Sequence, residues 1–136
     1  MNSAPDAASA FSHEFEVSEK DTDRNRHVNN VVYLQWMQDI AILHSERSGG
    51  MEAMQELGCT WVVRSHKVEY LAPAFAGDRI EASTWVEGYR RVRALRRYCF
   101  TRKADRKILA RGETEWIFID NQSGKPCSIP DRIKRC

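Results

Sequence analysis

Asp21-Thr22-Asp23-Arg24-Asn25-Arg26-His27-Val28-Asn29-Asn30 holds one apolar residue, Val28, and opens directly onto Val31-Val32-Tyr33. Downstream, Tyr33, Trp36, Met37, Ile40, Ala41 and His44 recur at spacings of three and four. Gln35, Gln38, Asp39, Ser45 and Glu46 fall mostly between them, so the period is that of an amphipathic helix. Asn29 or Asn30 suits its N-cap, because an Asn side-chain oxygen accepts from the first free N–H groups. Gly49-Gly50 predicts its stop. Residues 51–57 predict one more short helical turn, ended by Gly58.

Outward from that helix the period changes to two. Phe11, His13, Phe15 and Val17 alternate with Ser12, Glu14, Glu16 and Ser18, which predicts a strand. Residues 1–10 are small and polar with one Pro and read as a disordered tail. After the helix, strands are predicted over 61–71, 79–87, 91–102 and 108–119. Pro73 with Gly77-Asp78 marks one turn and Asn121 to Pro126 another, and Ile129-Pro130 begins a short tail. Short turns between the last four strands favour antiparallel pairing. One long helix must then cover one face of a sheet of about five strands, an α+β class. Residues 11–136 form a single domain on this reading.

Composition excludes several classes. The 136 residues are 42% hydrophobic, near the globular norm, which argues against a fully disordered chain. No stretch reaches the roughly 20 apolar residues of a membrane span, so no insertion into a membrane is expected. The first ten residues lack a basic segment followed by an apolar one, so a secretory signal is not expected and the predicted location is cytoplasmic. Cys59, Cys99, Cys127 and Cys136 are scattered without a Cys-x-x-Cys pair, which speaks for reduced thiols and against a zinc site. The net charge of +2 hides an asymmetry. Residues 1–60 hold 4 Lys/Arg and 10 Asp/Glu, and residues 61–136 hold 17 and 9. An anionic partner is therefore to be sought in the second half.

The polar loop carries the chemistry. It sets two carboxylates, an imidazole and two amides just before a helix start. Free N–H groups there carry partial positive charge and can hold an anion or a developing oxyanion. A carboxylate seven residues upstream reaches the same spot if the loop folds back. Such a pair suits attack on a carbonyl, with the carboxylate as nucleophile or general base. Each residue also has a plainer reading, as a turn or helix cap, and it is their conjunction in one loop that speaks for function.

Asp-Thr-Asp-x-x-x-His-Val-Asn-Asn-x-x-Tyr, at 21–33, resembles the signature of the hotdog-fold acyl thioesterases of the 4-hydroxybenzoyl-CoA thioesterase type. It is also similar to the Asp-x-Asp-x-Asn-x-His-Val-Asn-Asn run of plant acyl-ACP thioesterases, in which Asn25 matches too. Val68 to Pro73, Gly77 to Ile80, Gly112 to Thr114 and Asp120 to Pro126 add weaker likenesses. The resemblance spans about residues 11–130. It implies a hotdog fold, with a curved antiparallel sheet wrapped around the central helix. It implies hydrolysis of an acyl-CoA or acyl-carrier-protein thioester, without metal or other cofactor. Asp23 maps to the catalytic carboxylate and Asn30 to the backbone N–H that polarises the carbonyl, with His27 and Asn29 in support. It further implies a homodimer or homotetramer with the acyl pocket between subunits. The 4-hydroxybenzoyl enzyme itself lacks the His-Val-Asn-Asn run, and the later catalytic Cys or His assigned in plant-type enzymes has no clear counterpart here.

Residues 90–107 hold nine basic side chains against one acid, Asp105. Arg90, Arg91 and Arg93 are the candidates for docking CoA phosphates or an acidic carrier, since a guanidinium fork matches phosphate. A solvated strand and turn is the plain alternative. Nucleic acid is not an expected partner, because no recognisable binding motif is present. Tyr33 and Trp36, next to the loop, are candidates to line an acyl channel. Two other functions compete: a hydratase or dehydratase of acyl thioesters on the same fold, and a non-catalytic acyl-CoA binding module, because fold alone does not establish activity.

Overall fold

Asn29 caps the long helix, its side-chain oxygen accepting from the Val31 N–H at 3.2 Å. The computed structural model describes residues 10–136; the expected tail over 1–10 lies, apart from Ala10, outside the described residues. Strand β1 (Phe11–Glu16) leads through a 3-10 turn (Glu19–Asp21) into helix α1 (Asn30–Ser48). Gly49 closes α1 at φ 86°, a left-handed conformation in which a Cβ would be strained. Helix α2 (Gly50–Glu56) follows, then β2 (Cys59–Tyr70), β3 (Arg79–Arg90), β4 (Arg93–Arg102) and β5 (Lys107–Asp120).

The five strands form one sheet in the order β1-β3-β4-β5-β2, with every neighbouring pair antiparallel. Consecutive β1 and β2 thus lie on opposite edges, and the chain between them carries α1 across one face. This is the hotdog arrangement. Tyr33, Trp36, Met37, Ile40 and Ala41 of α1 are buried against that face. The sheet answers with Ile80, Ala82 and Thr84 on β3, Ala94, Tyr98 and Phe100 on β4, and Leu109 and Ala110 on β5. Register shifts at Val63/Ser65, Val86/Gly88 and Phe100/Thr101 interrupt the ladders. Bulges of this kind sharpen twist and help a sheet curl around a helix.

The C-terminal stretch departs from the expected tail. Asp131–Lys134 form a short helix, α3, and Ile129 and Ile133 bury themselves beside Ala53 and Phe118 in a second small core. Four residues are too few to show a helical period, so the sequence pattern could not announce it. The cysteines remain thiols, with Cys59 and Cys127 in contact at 3.7 Å. Among the described residues no helix is long and apolar enough to cross a membrane.

Candidate active site

The polar loop folds back on itself as a small hairpin. Thr22 and Val28 form a bridge, the Asp23 N–H donates to the His27 carbonyl at 2.8 Å, and the Asn29 N–H donates to the Asp21 carbonyl at 2.9 Å. Arg26 makes the reversal at φ 66°. The arm that carries Asp23 therefore lies alongside the arm that starts α1.

Asp23 is exposed, and its two oxygens have different surroundings. Oδ1 accepts from the Asn25 N–H at 2.8 Å and the His27 N–H at 3.2 Å. Oδ2 meets no donor among the described residues. One oxygen thus fixes the carboxylate while the other stays open to a reactant.

The helix start has a matching vacancy. Asn29 satisfies the Val31 N–H through its side chain and the Val32 N–H through its carbonyl at 2.9 Å. The Asn30 N–H meets no acceptor among the described residues. It is the first amide of a 19-residue helix, where the aligned backbone dipoles concentrate positive potential. The Tyr70 hydroxyl donates to the Asn30 carbonyl at 2.9 Å and ties the helix start to β2.

A second segment clamps the loop from outside. The Val28 N–H donates to the Ala74 carbonyl at 2.9 Å, and the His27 ring stands edge-on to Phe75 with centroids 5.0 Å apart. Asp78 Oδ2 accepts from the Phe75 N–H at 2.9 Å and from Arg102 Nη1 at 3.3 Å. Arg102 also donates to the Pro73 carbonyl at 3.1 Å. The Pro73 and Gly77-Asp78 signals in the sequence thus belong to the brace of the polar loop. Tyr70 and Arg102 take part unannounced; in sequence Arg102 is one basic residue among nine.

The remaining candidates lie elsewhere. Tyr33 is 3% exposed, with its ring edge-on to Trp36, Tyr70 and Phe100, so in this chain it is a core residue rather than an open wall. Burial pushes its hydroxyl up to about 12, which keeps it protonated. Arg90, Arg91 and Arg93 sit at the β3–β4 turn. Asp78, which braces the loop, precedes the other end of β3, about 40 Å of strand from Arg90 at about 3.3 Å per residue. A single chain therefore does not bring those arginines to Asp23. Arg93 is paired to Glu115 at 3.7 Å, while Arg90 and Arg91 have no acidic partner among the described residues.

A cavity of about 510 Å³ opens between the second half of α1, α2 and the sheet. None of Asp23, His27, Asn29, Asn30 or Tyr33 lines it. Among the described residues no cluster of three or more His, Cys, Asp or Glu could hold a metal ion.

Fold and loop together define a hotdog domain with an anchored carboxylate in the loop that leads into an open helix start. Residues 17–135 match the profile of the thioesterase-like superfamily, and the chain belongs to it. Among solved structures, the 1,4-dihydroxy-2-naphthoyl-CoA thioesterase from Synechocystis is 20% identical, with a TM-score of 0.82 over 92% of this chain and 93% of that one. The probable thioesterase YbaW from Escherichia coli is 18% identical, with a TM-score of 0.84 over 90% and 92%. An acyl-ACP thioesterase from Bacteroides thetaiotaomicron is 20% identical, with a TM-score of 0.85 over 93% of this chain and 52% of that one. At these identities the likeness is one of fold. No curated protein matches the chain by sequence.

Proposed function

We propose that the protein hydrolyses an acyl thioester, of coenzyme A or of an acyl carrier protein, to a free acid and a thiol. The observation that carries this reading is one loop that holds a half-anchored Asp23 carboxylate and leads into a helix whose first N–H, that of Asn30, is unclaimed. The Asn30 N–H and the helix dipole polarise the thioester carbonyl and stabilise the oxyanion that forms on it. Asp23, through Oδ2, takes a proton from a water that attacks the carbonyl carbon, or attacks that carbon itself to form a mixed anhydride that water then hydrolyses to the free acid. The C–S bond breaks and the sulfur leaves as thiolate, which then takes up a proton. His27 and Asn29 hold the loop and the helix start in register, His27 by its backbone and its ring on Phe75, Asn29 by its cap.

A second copy of the chain completes the reading. β2 is a 12-residue edge strand with Val62 and Tyr70 exposed, and such an edge favours pairing with another strand. Arg90, Arg91 and Arg93, remote from Asp23 in their own chain, would then serve the phosphates of a substrate bound at the other subunit's loop.

The test is thiol release from short, long and aromatic acyl-CoAs and acyl carrier proteins, wild type beside Asp23→Asn. Turnover that falls at least about 100-fold in the variant is expected, since the substitution removes the reacting charge. Undiminished turnover in Asp23→Asn would overturn the site. No turnover on any substrate, from a folded oligomer, would turn the reading to a binding module.

A further inference from the structure

Arg96 stands apart from the other arginines of its strand. Its strand parity is that of Ala94, Tyr98 and Phe100, so it points to the face that α1 covers. Arg93 pairs with Glu115, Arg97 with Glu87 and Glu113, and Arg102 with Asp78 and Asp105. Arg96 has no acidic partner among the described residues. Its Nη1 donates to His44 Nδ1 at 2.9 Å and to Thr84 Oγ1 at 3.1 Å, which uses both hydrogens of that nitrogen. The Nε–Nη2 edge, with three N–H donors, meets no acceptor among the described residues.

Both partners of Arg96 are neutral. Thr84 is a hydroxyl, and His44 accepts at Nδ1, so it carries its proton on Nε2. Burial, with Arg96 beside it, holds His44 down to about 4. Burial also pulls the Arg96 guanidinium below its ordinary range. A positive charge thus stands partly buried beneath α1 without a counter-charge, a placement that favours an anion at its free edge.

The guanidinium lines the 510 Å³ cavity, whose volume falls in the roughly 300–1,000 Å³ range of small-molecule sites. The other walls include Ile42, Met51, Met54, Trp61, Val86 and Trp116. An apolar chamber with one fork-shaped cation fits one chemistry. Carboxylates match the two parallel N–H groups of a guanidinium edge, and the apolar walls match a hydrocarbon or aryl body.

We propose that this cavity binds a free carboxylic acid with an apolar body, its carboxylate on the Nε–Nη2 edge of Arg96 and its body between the Met51, Met54 and Trp61 walls. Within one chain no residue of the thioester loop lines the cavity, and its nearest lining residue on α1, Gln38, lies eight residues from Asn30, about 12 Å at about 1.5 Å per residue. The same class of molecule is the acid released by thioester hydrolysis, but the binding argument does not depend on that reaction.

Calorimetric titration of the full chain with decanoate and with decanol tests the proposal, with quenching of tryptophan fluorescence as a second readout. The acid is expected to bind at least about tenfold more tightly than the alcohol, as a charge-assisted pair allows. Arg96→Met is expected to erase that preference. Ile42→Trp, introduced from the exposed side of α1, narrows the cavity, keeps the assay informative should Arg96→Met not fold, and is expected to weaken both ligands. Asp23→Asn, which removes the thioester chemistry, is expected to bind decanoate like wild type. Equal binding of acid and alcohol, no saturable binding of either, a preference that survives in Arg96→Met, or loss of decanoate in Asp23→Asn would each overturn the proposal.

Discussion

An Asn at position 23 can still accept from the Asn25 and His27 N–H groups, so Asp23→Asn separates charge from loop structure. The variant is therefore expected to keep its urea midpoint while turnover collapses. His44 makes a different residue-scale prediction. Its folded value of about 4 lies below the ordinary 6.5, so the unfolded chain binds the proton more readily. Its contribution to stability is complete above about pH 6.5 and is lost as pH falls toward 4. The charged group facing it is Arg96, with the Phe11 ring stacked on its other side at 5.0 Å. Because the imidazole is only half-buried, solvent screening reduces the effect to about 1–2 kcal/mol. His44→Gln can keep the acceptor without titrating. Urea unfolding at pH 7.5 and 5.0 is expected to show a smaller loss in the variant than in wild type. A residue of that loss persists from His66, which burial lowers in the same direction. The helix cap was legible as Asn29 or Asn30 because caps have local signatures, and the structure gives it to Asn29, while the roles proposed for Asp23 and Asn30 come from the resemblance of the loop. Arg96 was not legible, since only the covering helix distinguishes it from eight basic neighbours.

At the scale of elements, α1 and β5 approach so closely that Gly112 matters. A Cβ there would stand 2.8 Å from Met37 Sδ and 3.0 Å from its Cε, and Met37 is fully buried. Gly112→Ala is expected to cost about 1–3 kcal/mol in urea unfolding through overpacking. The penalty is expected to shrink in a Met37→Ala background, where the obstructing atoms are gone. An equal penalty in both backgrounds would remove the clash as the cause. This contact also gives a physical reason for one of the weaker sequence likenesses, the Gly112 to Thr114 run. Helix and strands were readable because each repeats its period over many residues. The bulges and α3 were not, because a shift of one residue, or a helix of four, leaves no period to read.

For the whole molecule, the order β1-β3-β4-β5-β2 leaves two edges and places Arg90, Arg91 and Arg93 about a strand's length from the Asp23 loop. Sequence could supply both groups but not their separation, which depends on the path of β3. If both groups serve one substrate, they must come from different copies of the chain, and that can be tested by complementation. One chain carries Asp23→Asn, and the other carries Arg90→Glu, Arg91→Glu and Arg93→Glu. Each alone is expected to be nearly inactive on acyl-CoA. In a random mixture of dimers half are mixed, and a mixed dimer holds one site with both groups intact. Equimolar mixing is thus expected to restore about a quarter of wild-type turnover, while dimers form by symmetric pairing. The recovery should follow subunit exchange in time and vanish at dilutions that leave monomers in sedimentation. No recovery after demonstrated exchange would mean that the arginines do not act across the interface, and the phosphate contact would then have to be sought nearer the loop, where Arg102 already holds Pro73 and Asp78.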